Sequence, residues 1–326
     1  MVKTALIQVN FLNPIQEHLQ QVEQIMLSQA DRHHPELGAA IEHLLSSGGK
    51  RIRPAVALLT GSMLGGDPER LVTLGAAIEL LHTATLVHDD LIDGALLRRG
   101  IVTLNAQWTP AATVLTGDFI FARAAKLAAE TDSVPVMRIF AETLATIVNG
   151  EITQLFRNRS LASREDYLRR IYSKTASMFE LATAAAALLS PVDEAVVEDV
   201  RQYGYDIGMA FQIVDDVLDF TGEQATLGKP VASDLRQGLI TLPAMYYIQS
   251  NPNDADVAWL LEGNLYSDER MDRLVNSIRN SGAIEQSLED SRRYVDSALE
   301  RLDKQPVCEE RHALEDLSNY IVQRSM

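Results

Sequence analysis

Residues Leu71–Asp93 read LVTLGAAIELLHTATLVHDDLID. The stretch is one long helix candidate, and it closes on Asp89-Asp90-Leu91-Ile92-Asp93, three carboxylates in apolar surroundings. On a helix the first and last Asp share a face, and the middle one lies about 100° away. The pattern returns where Phe211-Gln212-Ile213-Val214 runs into Asp215-Asp216-Val217-Leu218-Asp219. Clustered carboxylates repel each other and cost stability inside a helix, so a cation must offset them. All-oxygen ligands suit Mg²⁺ or Ca²⁺, and Mg²⁺ binds through a few carboxylates together with substrate phosphates. One such motif reads equally well as a solvated helix face. Two, each inside apolar helix, point to metal.

Working outward, the chain is helical in pattern nearly throughout. Helices are expected over Pro14–Arg32, Pro35–Leu45, Arg53–Leu64, Pro110–Glu130, Val134–Asn149, Arg164–Leu189 and Asp193–Phe220. Gly65-Gly66-Asp67-Pro68 marks a turn, and Thr221–Gly238 reads as a loop. No alternation of strands with helices, no internal repeat and no linker is visible, so the expectation is one all-α domain over residues 1–326.

The 326 residues are 46% hydrophobic and 23% charged, which excludes a mainly disordered chain. Aromatics are only 6%, while Ala and Leu are abundant, which favours helix over sheet. Lys and Arg number 29 against 45 Asp and Glu, a net charge of −16. Such a surface repels phosphate backbones, so no nucleic-acid partner is expected. Cys308 is the single cysteine, so no intrachain disulfide requires an oxidising compartment. The first ten residues do not read as a secretory signal, and no basic amphipathic segment reads as a membrane anchor. The longest apolar run, Leu181–Leu189, falls well short of the roughly 20 residues of a membrane span. The expectation is a cytoplasmic protein with no stable membrane insertion.

Within this acidic chain the cations are grouped. Gly48-Gly49-Lys50-Arg51-Ile52-Arg53-Pro54 sets three beside a glycine turn at a helix start, and Arg98-Arg99-Gly100 follows the first Asp motif. Lys174-Thr175 and Gly228-Lys229-Pro230 add single cations. Lys and Arg near a helix N-terminus suit diphosphate. Carboxylate-held metal and a basic cluster together describe a site for two diphosphates. With no Ser-His-Asp order, Cys nucleophile or phosphate-binding loop in sight, the fitting reaction needs no protein nucleophile. Mg²⁺ stabilises a departing diphosphate and a carbocation remains.

These motifs, with Lys174-Thr175-Ala176 and Phe211-Gln212, resemble the trans-isoprenyl diphosphate synthases, the polyprenyl synthetase family, from about residue 40 to 245. The resemblance implies a single large helical bundle of the isoprenoid synthase type around a deep central cavity, as a homodimer. It implies condensation of isopentenyl diphosphate onto an allylic diphosphate with several Mg²⁺ ions. Carried over by position, Asp89, Asp93 and Asp215 hold the metal, supported by Asp90, Asp216 and Asp219. Arg98, Lys174 and Lys229 hold the allylic diphosphate. Lys50, Arg53, His82 and Arg99 hold isopentenyl diphosphate, and Arg324 closes that site. Thr175 and Gln212 face the carbocation. Leu239 departs from the pattern, standing where many relatives carry Lys.

Product length is read from the residues before Asp89. Bulky aromatics four and five positions back form a floor in relatives that stop early; here Thr85 and Ala84 stand there, and Leu81 lies one turn further. The first motif also lacks the two-residue insertion of bacterial short-chain relatives. Leu127 and Ala128, following Phe121 at helical spacing, are candidates for the floor. The expected product has six or more isoprene units, with geranylgeranyl or farnesyl diphosphate as the alternative. Of rival classes, Glu79-x-x-His82 and Glu309-x-x-His312 fit half of a di-iron site but leave both Asp motifs unexplained. Terpene cyclases lack the Lys50 cluster. His88-Asp89 has no further His pair that would make a phosphohydrolase. A non-catalytic subunit of a heteromeric prenyltransferase would carry degraded Asp motifs, and both are intact here, which favours a catalytic subunit; obligate pairing with another chain stays open as the alternative.

Overall fold

The structure, a computed structural model, describes residues 10–31, 33–46, 48–98, 100–156, 163–222, 231–263 and 267–324. A 3₁₀ turn, Asn10–Ile15, leads into α1 (Gln16–Ser28), α2 (Pro35–Ser46), α3 (Ile52–Met63) and α4 (Pro68–Ile92). A two-residue hairpin follows, β1 (Leu97–Arg98) and β2 (Ile101–Val102), then α5 (Leu104–Gln107), α6 (Pro110–Glu130) and α7 (Val134–Leu155). Next come α8 (Arg164–Ile171), a π turn (Tyr172–Ala176), α9 (Ser177–Leu188) and α10 (Glu194–Thr221). The rest is α11 (Ser233–Arg236), α12 (Leu242–Ser250), α13 (Ala255–Leu261), α14 (Asp268–Arg279), α15 (Ala283–Leu302) and α16 (Glu309–Gln323).

Helix starts follow local chemistry. Asp67 caps α4 by accepting from the Glu69 amide at 3.0 Å, and Pro68 takes the first position, where its missing N–H costs nothing. Thr109, Ser133, Ser163 and Asp193 cap α6, α7, α8 and α10 in the same way. Three expectations change. The helix expected over Arg164–Leu189 is interrupted by the π turn. Helix α7 runs past Asn149-Gly150 to Leu155, because Gly150 serves close packing rather than a stop: a Cβ there would lie 2.5 Å from the Ser173 Cβ. The loop after Thr221 contains α11, and the chain carries one small antiparallel pair, Leu97 with Val102 and Arg98 with Ile101.

The main core joins α1, α3, α4, α6, α9, α10 and α16. Helix α4 is its centre; it alone among the described helices is long and apolar enough to cross a membrane, and 72% of that window is buried inside the bundle. Two further clusters carry the far side. Tyr167, Ile171, Met209, Ile213 and Leu242 seat α8 against α10 and α12. Val217, Phe220 and Leu235 tie the end of α10 to α12, α13 and α14. Helix α10 approaches α9 very closely. A Cβ on Gly208 would lie 2.5 Å from the Ala176 Cα, and one on Gly204 would lie 2.6 Å from the Phe179 carbonyl oxygen. These two glycines, one turn apart, draw the second Asp motif toward the π turn.

Candidate functional site

A cavity of about 720 Å³ is bordered by Gly48, Lys50, Arg53, His82, Asp90, Arg98, Asp215 and Arg324, among others. Five segments distant in sequence meet there. Gly48, at φ +70, opens the turn before α3. Arg51 takes a left-handed backbone, φ +48, that costs a non-glycine residue roughly 1–2 kcal/mol. That backbone turns Arg51 onto Glu79 at 2.9 Å and Glu23 at 3.1 Å. All three cations border the cavity, but Arg51 is tied to carboxylates, while Lys50 and Arg53 meet Tyr320 and His82. Lys50 donates to the Tyr320 hydroxyl and lies 4.8 Å from that ring's centre. Arg53 donates to His82 Nε2 at 3.2 Å and stacks on Phe179. A guanidinium has no acceptor, so His82 Nε2 is the acceptor in this contact.

The first Asp motif occupies the C-terminal end of α4. Asp90 is buried and accepts from Arg98 Nε at 2.8 Å; Arg98 stands on β1. Asp89 lies 3.8 Å from Lys174 Nζ, which is also 3.5 Å from Glu151 of α7. Burial pushes the Asp89 carboxyl up to about 6; Lys174 opposes this, and Glu151 and Asp93 add to it. Burial works against the Lys174 charge, but Asp89 and Glu151 outweigh it and hold its pKa above the usual value. Asp93 is exposed just past the helix end.

The second motif sits within the last two turns of α10. Asp215 pairs with Arg324 at 2.9 Å. Arg324 also donates to the Phe211 carbonyl at 2.7 Å and covers the Phe211 ring at 3.9 Å. The C-terminal helix thus reaches the cavity, where the sequence reading set Arg324. Asp216 is buried, with one oxygen accepting from Gln212 and the other from Tyr167, each at 2.8 Å. Burial pushes its carboxyl up to about 7, although the Gln212 hydrogen bond pulls the other way. Asp219 is buried and accepts from the Ser233 hydroxyl at 3.0 Å and the Asp234 amide at 3.2 Å. Thr175, on the π turn, donates to Gln212 Oε1 at 2.6 Å.

Of the residues singled out from the sequence, Lys50, Arg53, His82, Asp90, Arg98, Asp215 and Arg324 border this cavity, while Asp89 pairs with Lys174, and Asp216, Gln212 and Thr175 form a separate hydrogen-bonded group. Arg99 and Lys229 lie outside the described residues. Glu151 and Tyr167 went unread, since a single Glu or Tyr in helical sequence carries no signal of its own. Of the residues before Asp89, Leu81 and Ala84 have no exposed surface, while Thr85 is half-buried. Helix geometry explains this: Thr85 lies about 40° from Asp89 around α4, and Ala84 about 140°. Glu309 and His312 are exposed, and Glu79 and His82 are engaged with Arg51 and Arg53.

Among the described residues no three His, Cys, Asp or Glu side chains form a ready-made metal cage. The donor set still fits a hard cation. Asp90 and Asp215 border one cavity from two helices. Carboxylates on opposite walls, all-oxygen and too few for a closed cage, suit an ion that also binds phosphate oxygens.

Three comparisons bear on this geometry. Over 311 residues the chain is 39% identical to "heptaprenyl diphosphate synthase component 2" of Geobacillus stearothermophilus, covering 95% of this chain and 97% of that one. It is 34% identical to the octaprenyl diphosphate synthase of Haemophilus influenzae, covering 94% of each. The crystal structure of a polyprenyl synthase from Caulobacter crescentus, complexed with calcium and isoprenyl diphosphate, superposes with a TM-score of 0.91 at 36% identity, covering 98% of each chain. Residues 34–278 match the polyprenyl synthetase family model, and the chain is a prenyltransferase that belongs to the polyprenyl synthetase family.

Proposed function

We propose that this chain, working as one domain, condenses isopentenyl diphosphate head to tail with an allylic diphosphate to make a trans polyprenyl diphosphate of six or more isoprene units. The observation that carries this reading is the single cavity bordered by both Asp motifs and by Lys50, Arg53 and Arg98. Relatives named for seven- and eight-unit products support the length. Mg²⁺, when bound, neutralises the departing diphosphate. Asp89, Asp93 and Asp215 would hold the metal, and Asp90, Asp216 and Asp219 would keep their neighbours in place. Lys174 and Arg98 would grip the allylic diphosphate. Lys50, Arg53 and His82 would seat isopentenyl diphosphate, with Arg324 as the cover. The allylic C–O bond breaks, the double bond of isopentenyl diphosphate supplies the new C–C bond, and the released diphosphate takes the proton. The oxygens of Thr175 and Gln212 would face the cation, and lone pairs stabilise positive charge.

A homodimer is part of the proposal. Helix α7 exposes Val148, Ile152, Leu155 and Phe156 at three- and four-residue spacing, and α6 exposes Val114 and Leu115. Such a stripe is where a second copy would pack. A cytoplasmic location suits water-soluble substrates and a free Cys308. A second reading is favoured by the name "component 2" of the Geobacillus relative: the chain would be catalytic only beside another protein.

Purified protein given Mg²⁺, isopentenyl diphosphate and allylic primers of two, three or four units tests these readings. Dephosphorylated products running to six or more units support the synthase. A stop at three or four keeps the chemistry and discards the length. No product from a folded chain moves the weight to the partner-dependent reading.

A further inference from the structure

Tyr167 is fully buried, and nothing in the reaction as described uses it. It stands on α8, eight residues before Thr175, yet both reach the same pair on α10. The π turn between them accounts for this. A π turn adds one residue to a helix, so positions eight apart face as positions seven apart otherwise would, about 20° from one another. On α10, Gln212 and Asp216 are one turn apart and share a face. The result is a closed ladder of hydrogen bonds: Tyr167 hydroxyl to Asp216, Gln212 amide to Asp216, and Thr175 hydroxyl to Gln212. Arg170 stacks on the Tyr167 ring at 5.3 Å and holds it from the outer side.

The ladder has a direction. The Gln212 NH₂ donates to one Asp216 oxygen and the Tyr167 hydroxyl to the other, which turns the amide oxygen toward Thr175. Thr175 then spends its proton on that oxygen and keeps its lone pairs free. Were the amide reversed, its NH₂ would point at Thr175, and a positive dipole end would face the forming cation. Tyr167 occupies the second Asp216 oxygen at 2.8 Å and so keeps the carboxylate from rotating off Gln212.

We infer that Tyr167 is a positioning residue, fixing through Asp216 the orientation of the Gln212 amide and hence of the oxygens that meet the carbocation. The inference rests on the synthase reading above. Its test is a double-mutant cycle on the full-length enzyme, with steady-state condensation as the readout. Tyr167→Phe keeps the ring and removes only the hydroxyl. In the wild-type background kcat should fall about tenfold to hundredfold, with KM for both diphosphates changed less than about twofold. In the Gln212→Ala background, where no amide remains to be oriented, Tyr167→Phe should cost nothing further. Equal losses in both backgrounds, a loss confined to KM, or no loss at all would each overturn the inference. Should Tyr167→Phe not fold, Asp216→Asn replaces it in the cycle. Its oxygen turns to Tyr167, its NH₂ reverses Gln212, and kcat should fall further in the wild-type background than in the Gln212→Ala background. A wild-type enzyme that makes no product would sink the synthase reading instead, so the two failures are distinct.

Discussion

The two Asp motifs are the same five-residue pattern, yet the fold holds them in opposite ways. Both lie at the C-terminal end of a helix, where the dipole disfavours negative charge. The first motif leans on cations: Asp90 on Arg98, Asp89 on Lys174, with Asp93 exposed to water. In the second, the inner carboxylates lean on neutral donors fixed by the core, Asp216 on Tyr167 and Gln212, Asp219 on Ser233 and the Asp234 amide. Asp215, at the rim, meets a cation in Arg324. A carboxylate whose partner is a long flexible cation can exchange it for metal or diphosphate at small cost. One clamped by buried neutral groups serves as a strut. The first motif is thus built to rearrange and the second to stay.

The largest effect that tests this contrast is catalytic. Asp89→Ala and Asp215→Ala should each lower kcat about a thousandfold, since each removes a group that would meet the metal. Asp219→Asn, a strut, should lose only about tenfold. Steady-state rates check this, and an equal loss in all three would erase the distinction. Next come the residues below the first motif. Ala84→Phe should destabilise by about 1–3 kcal/mol through overpacking, read by denaturant unfolding. Thr85→Phe, on the open face, should fold well and shorten the longest product by two or more units, roughly one aromatic ring's worth of depth. Shortening by Ala84→Phe alone would return the passage to that side of α4.

A smaller effect concerns charge. Without metal, Asp89 carries a folded-state pKa near 6, against 3.8 as its reference. A raised acid pKa means the native state binds more protons than the unfolded one across that interval, so stability falls as pH climbs from about 4 through about 6. Asp89→Asn escapes that loss. In chelator it should be about 1–2 kcal/mol more stable than wild type at pH 7, with no difference near pH 4. Added Mg²⁺ should reverse the order. The smallest effect is at the rim: Arg324→Ala should raise KM for isopentenyl diphosphate about fivefold and leave kcat near wild type.

Much of this was legible in residue order. The caps at Asp67, Thr109, Ser133, Ser163 and Asp193 sit where their side chains reach the first free amides, a local matter. The two Asp motifs and the Lys50 turn were legible because charge in apolar sequence is conspicuous whatever the fold. Gly150 misled, because a glycine that ends a helix and one that admits a neighbouring helix look alike along the chain.

What the sequence by itself determined is therefore the helical class, the carboxylate and cation inventory, and the family. These follow from period, propensity and spacing, which act within a few residues. Only the tertiary structure decided that Arg51 turns onto Glu79 while Lys50 meets Tyr320 and Arg53 meets His82. It also decided that Tyr167, eight residues from Thr175, joins it in one ladder through α10. Each of these depends on helix rotation and on contacts between segments 28 to 113 residues apart, such as Arg51 with Glu79 and Arg324 with the Phe211 carbonyl. Rotation about a helix axis is set by the packing of whole faces, which no local stretch of sequence encodes.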